Sequence, residues 1–189
     1  SKPSTTLNMA CPSGMKAAMI AAQALKGGNQ KFIVTGGMDS MSTIPHMVKG
    51  LRFSPKKMGD IVIEDGWKDA TDPIAETTMG QTAQRLADDN GVSRAEQDKY
   101  ALESHRKAVS ASQRGYFNNE LVPISLAPAF EHGEIELTRD ETPRDNTSID
   151  KLAKLPPAFS KDGTVTAGNS SAMSDGACSI LLTTRELAK

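Results

Sequence analysis

Residues 10–37, ACPSGMKAAMIAAQALKGGNQKFIVTGG, decide the fold class. Met15, Ala18, Met19, Ala22 and Leu25 recur at helical spacing, and Gly27-Gly28 end the run because glycine readily takes the left-handed cap. KFIVTGG, residues 31–37, then reads as a short buried strand closing on two glycines. A helix feeding an apolar strand is half of a βαβ unit, so the expectation is an α/β fold.

The other end repeats the pattern: GACSILLTTRELAK, residues 176–189, reads as a buried strand running into the start of a helix. Between them, residues 41–92 have an irregular texture rich in Met, Pro, Gly and Asp, with GDIVIEDG (59–66) as one candidate strand. The clearest helix of the middle section is 93–115, opened by a Ser93/Glu96 capping box and ended by Gly115. ELVPISL (120–126) and GEIELTRD (133–140) read as two strands around a loop. An α/β pattern that opens on one half-unit and stops on another is expected to lack elements at both ends. The opening SKPSTTLNMA has no Met and neither signal-peptide nor transit character, so it reads as an internal edge.

Composition narrows the classes. At 189 residues the chain suits one domain or two small ones, and its net charge of −1 implies no nucleic-acid or anionic-membrane surface. No apolar run approaches the roughly 20 residues of a membrane span. Cys11 and Cys178 lie far apart and read as two free thiols in a reducing compartment, with a disulfide as the alternative.

Cys11 stands at the mouth of the first helix. A helix N-terminus carries unpaired N–H groups and partial positive charge, so a thiolate there is stabilised as a nucleophile. Pro12 as first helical residue loses no hydrogen bond, and it leaves the Cys11 N–H intact to serve an oxyanion. Taken alone, a cysteine beside a helix is more often a buried structural thiol. A second stretch bears on the choice. GTVTAGNSSAMSDGA, residues 163–177, is rich in glycine and in small hydroxyl and amide residues. It reads either as a surface loop or as a backbone-lined wall against which an extended ligand lies.

Together these stretches resemble the thiolases. NMACPSGMKAA (8–18) is similar to the nucleophile segment, VTGGMDSMS (34–42) to the strand and turn that follow it, and residues 140–177 to the coenzyme A loop signature. The resemblance implies a partial thiolase N-terminal αβαβα domain. Residues 1–40 and 160–189 would form its core, and 41–159 an inserted, mostly irregular and helical coenzyme A loop domain. It implies a thiolase-type acyltransferase in which Cys11 attacks a 3-ketoacyl-CoA and releases acetyl-CoA, or runs the reverse condensation. Arg144 matches the basic residue beside the coenzyme A nucleotide, where its planar cation can stack on adenine or pair with phosphate. Ala167 and Ser171 match positions meeting the pantetheine amides. Leu155, Ala158 and Phe159 match an apolar wall of the groove, and Met79 matches a methionine lining the acyl tunnel. Coenzyme A and acyl-CoA are then substrates, with no permanently bound cofactor and no metal. A homodimer or homotetramer is implied, in the cytoplasm, or in mitochondria or peroxisomes of a eukaryote.

The chain also departs from the family pattern. Thr78 stands where short-chain members carry His, and ETTMGQTAQRLADDNGVSRAEQDKYALESH (76–105) is closer to the degradative, fatty-acid-oxidation branch. Lys151 occupies a position where some members place serine, and Pro12 one where a small residue is usual. The Asn-Glu-Ala-Phe, Gly-His-Pro and Cys-x-Gly-Gly segments of the catalytic set do not occur in these residues. His46, His105 and His132 read as surface residues, and Cys178 as a small core hydrophobe. Two other readings fit parts of the chain: a non-catalytic coenzyme A-binding fragment, and a condensing enzyme of the ketoacyl-synthase type.

Overall fold

The computed structural model describes residues 2–53, 58–69, 71–126 and 135–189. In chain order it contains α1 (Ser13–Lys26), β1 (Phe32–Asp39), β2 (His46–Met47), β3 (Glu64–Asp65), β4 (Thr71–Asp72), β5 (Thr77–Thr78), α2 (Met79–Asp89), α3 (Arg94–Gln113), β6 (Ile124–Leu126), β7 (Ile135–Leu137), α4 (Ile149–Ala153) and β8 (Gly176–Thr183). The chain divides into two compact units, Ser1–Trp67 with Met173–Lys189, and Lys68–Ala172. Residues 41–53 and 58–67 therefore belong with the first helix and strand, and residues 160–172 with the second unit.

In the first unit β1 and β8 pair antiparallel over eight residues, from Phe32 opposite Thr183 to Asp39 opposite Gly176. Helix α1 contacts this ribbon and buries Ala21 and Leu25. Half-buried Ile33 and Thr35 alternate with exposed Phe32 and Val34, the period-two signature of a strand covered on one face. Asp175, just before β8, accepts the Ser42 N–H at 2.9 Å and the Ser42 hydroxyl at 2.7 Å, which ties the two strand ends together.

Several expectations are corrected here. Helix α1 starts at Ser13 with Pro12 as its cap rather than its first residue, while its Gly27-Gly28 ending holds, with Gly28 left-handed at φ +74°. The strands are not buried within these residues: Val34 is 71% and Met38 84% exposed. The helical stripe is open too, with Met15 at 71%. Cys178 is exposed rather than a core hydrophobe, because a two-stranded ribbon with one covering helix cannot enclose its outer face. After β8 there is a single turn over residues 185–187, with the Thr184 carbonyl accepting from Leu187 and Ala188. GDIVIEDG contributes only the two residues of β3, paired antiparallel with β2.

The second unit is built on two capped helices. α3 begins as its sequence predicts: Ser93 Oγ accepts the Glu96 N–H, and the Glu96 carboxylate accepts the Ser93 N–H at 2.8 Å. The Ser93 hydroxyl, donating to the same carboxylate at 2.7 Å, and then the Ser93 N–H hold the Glu96 pKa below its usual value. Helix α2 lies inside the stretch read as irregular. Its Thr78–Gln81 pair forms a second capping box, which was legible in the sequence. Strands β6 and β7 pair as expected, although the loop between them and the first two residues of GEIELTRD lie outside the described residues. Ala87, Leu102, Leu152 and Val165 form the buried apolar centre, joined by Gln84, Asp98 and Thr166. Among the described residues no helix is long and apolar enough to cross a membrane.

Candidate active site

Cys11 sits on a tight turn in the first unit. The Ser13 N–H donates to the Ala10 carbonyl at 3.0 Å, and Ser13 Oγ braces the same turn, accepting the Met9 N–H at 2.8 Å and donating to the Ala10 carbonyl at 2.5 Å. The Ala10 N–H donates to Asn8 Oδ1 at 2.8 Å. Ala10 itself has φ +53°, a left-handed conformation that an alanine adopts only at a cost. This bend sets the exposed Cys11 thiol directly ahead of α1. Among the described residues nothing accepts from the Cys11 N–H, so the donor that Pro12 leaves intact is free.

The second unit brings most of the other candidates together. Leu155, Ala158 and Phe159 follow α4, and the Ala158 N–H donates to the Val165 carbonyl at 2.9 Å, beside an antiparallel bridge from Pro157 to Thr166. The apolar wall is thereby fastened to the loop that carries Ala167 and Ser171. A Cβ on Gly168 would overlap Leu155 Cδ1 and Leu152 Cδ2, so a larger residue there would push these leucine ends aside. Gly80, next to Met79 in the first turn of α2, packs in the same way on the Phe159 ring. Ala167, Ser171 and Met79 are exposed. Among the described residues no group hydrogen-bonds Ala167 or Ser171, so both present free polar groups.

Arg144 lies apart from this cluster. Its N–H donates to His105 Nδ1 at 3.2 Å, and its side chain lines a depression of about 240 Å³ with Arg106, Ser110, Gln113 and Thr147. Arg106 was not singled out from the sequence. The signal was present, since residues 106, 109, 110 and 113 share one face of α3 by their spacing. Sequence reasoning also missed Gln84, Asp98 and Asn169, whose amides and carboxylate hold the loop from beneath. Lys151 Nζ is engaged with the Asn146 carbonyl at 2.5 Å. His46 is exposed and His105 half-buried, while His132 lies outside the described residues. Among the described residues no group of three His, Cys, Asp or Glu side chains is placed to hold a metal ion.

An α/β unit with an exposed cysteine at a helix mouth, joined to a second unit with a glycine-bearing polar loop, defines the class. Residues 1–186 match the family model described as the thiolase N-terminal domain, and the chain belongs to the thiolase family. It is 42% identical over 191 residues to a probable acetyl-CoA acyltransferase of Staphylococcus aureus strain COL, covering 99% of this chain and 48% of that protein. The human mitochondrial 3-ketoacyl-CoA thiolase crystal structure superposes with a TM-score of 0.85 at 37% identity, over 94% of this chain and 45% of that one. The structure of the same human enzyme in complex with CoA gives 0.84 at 37%, over 94% and 44%. The chain thus spans about half the length of the relatives it matches.

Proposed function

We propose that the chain is the nucleophile-bearing and coenzyme A-binding part of a thiolase-type acyltransferase. The observation that carries this reading is the Cys11 turn: an exposed thiol ahead of α1, beside its own unengaged N–H. The Cys11 thiolate adds to the 3-keto carbon of a 3-ketoacyl-CoA, and its oxygen takes the negative charge, facing the Cys11 N–H. The bond between C2 and C3 then breaks. Its electron pair passes to C2, which takes a proton and leaves as acetyl-CoA, with the acyl group on Cys11 sulfur. The thiolate of a second coenzyme A removes that acyl group and restores the Cys11 thiolate. Ala167 and Ser171 face the pantetheine amides, Leu155, Ala158 and Phe159 cover its apolar part, Met79 lines the acyl path, and Arg144 holds the nucleotide. Residues 76–105 favour the degradative branch of fatty acid metabolism, and the family resemblance favours a homodimer or homotetramer.

The test is acylation itself. The chain incubated with acetyl-CoA or acetoacetyl-CoA is digested and mapped by mass spectrometry. An acyl group on the Cys11 peptide, absent from Cys11→Ser, is the expected result. Acylation of Cys178 instead removes Cys11 from the mechanism. Coenzyme A binding without acylation would leave the chain a binding module.

A further inference from the structure

The segment Thr164–Thr166 hangs from side chains beneath it. Gln84 Oε1 accepts the N–H groups of Thr164 and Val165 at 2.7 and 3.0 Å, and Gln97 Nε2 donates to Thr164 Oγ1 at 2.9 Å. Asn169 closes the turn: its Oδ1 accepts the Thr166 N–H at 2.7 Å, and its Nδ2 donates to the Thr164 carbonyl at 3.1 Å. The same Nδ2 donates to Asp98 Oδ1 at 3.0 Å. Asp98 is 2% exposed, and its second oxygen accepts from Arg94 Nε at 2.8 Å. Arg94 Nη2 in turn donates to the Leu152 and Leu155 carbonyls at 2.5 and 3.0 Å. A single buried carboxylate therefore grips the polar loop through Asn169 and the apolar wall through Arg94.

Burying a carboxylate is unfavourable unless its oxygens are well engaged, and neutral side chains would satisfy the same turn without that cost. A charge makes the bonds shorter and stiffer than neutral ones. We infer that Asp98 is a positioning residue for the ligand, acting through Asn169 and Arg94 to fix the 167–171 edge against Leu155 before the coenzyme arrives. A surface ordered in advance loses less conformational entropy on binding. The unengaged groups of Ala167 and Ser171 are the edge so displayed. The inference rests on the coenzyme A reading given above.

The decisive substitution is Asn169→Asp, because it sets a second carboxylate against Asp98. The charged groups facing position 169 are Asp98 and, behind it, Arg94. Once protonated, the new carboxyl donates its one hydrogen to Asp98, while the Thr164 carbonyl stays without the bond that the amide also gave it. Coenzyme A affinity by calorimetry and amide exchange of residues 163–172 are measured in the unsubstituted chain and the variant. Near pH 8 the variant is expected to bind about tenfold more weakly, the size of a lost charge-assisted bond, and to exchange faster in 163–172. Exchange in α3 stays unchanged, and both effects shrink toward about pH 5 as the new carboxyl takes up a proton. Asp98→Asn, which removes the charge at constant size, is expected to weaken binding without the pH recovery. Affinity equal to that of the unsubstituted chain in both variants would overturn the inference while leaving the coenzyme A reading intact. Faster exchange that spreads through α3 would reduce Asp98 to a general stabiliser. No binding by the unsubstituted chain would overturn the coenzyme A reading, and this inference with it.

Discussion

Asp175 accepts two hydrogen bonds from Ser42, and its pKa is held below the usual aspartate value by the Ser42 N–H first and the Ser42 hydroxyl second. A folded-state pKa below the unfolded one adds stability that is present above the unfolded value and lost as pH falls through the folded value. Denaturant unfolding between about pH 6 and about pH 3 should therefore show an acid-side loss that Asp175→Asn flattens. An unchanged acid limb would mean that the contact contributes nothing in solution. Arg144 belongs to the same scale. Arg144→Ala should weaken coenzyme A binding by about 1–3 kcal/mol, the worth of a charge-assisted contact, and calorimetry reads it directly. If Arg106→Ala matches that loss, the two guanidiniums share one ligand group, consistent with the depression they both line.

Helices α2 and α3 each open on a reciprocal capping box, and each box is expected to count for about 1 kcal/mol. Gly80 adds a steric demand, since its Cβ position is filled by the Phe159 ring. Gly80→Ala should cost about 1–3 kcal/mol in chemical denaturation, as overpacking does, and should swing Phe159 off the wall. A stability equal to the unsubstituted chain would show that the ring moves aside freely. Much at this scale was legible beforehand. Periodicity and glycine endings located α1 to within a residue, and Ser93 with Glu96 located α3. Helix α2 escaped because the Met, Pro, Gly and Asp texture around it outweighed Thr78 and Gln81, although the cap signal was local and complete. Of the candidate site, residue chemistry singled out Cys11 and the 163–171 loop, and the family resemblance supplied their proposed roles. The Gln84, Asp98 and Asn169 network was not. Its partners lie up to 81 residues apart, and hydrogen bonding across that distance leaves no periodic trace in the chain.

The first unit leaves the large apolar side chains of Met15, Met19, Phe32, Val34, Met38 and Leu181 exposed. The segments tied by resemblance to the catalytic base also do not occur among these residues. The 189-residue chain alone should accordingly elute as an oligomer or aggregate on gel filtration and show no thiolysis of acetoacetyl-CoA. Adding the C-terminal half of a thiolase should restore both a defined size and turnover. A monodisperse monomer with full turnover would overturn this expectation. The antiparallel register of β1 and β8 has a different consequence. With Asp39 directly opposite Gly176, the ribbon ends on two strand termini that a short reverse turn could join. Lengthening a flexible closure adds only about 0.6 kcal/mol per doubling, so the ribbon places little restriction on what is spliced between its arms. The fold thus carries a docking port for inserted modules: the second unit, Lys68–Ala172, could be exchanged for another module, with the Ser42–Asp175 contact and the Val34–Leu181 pairing kept.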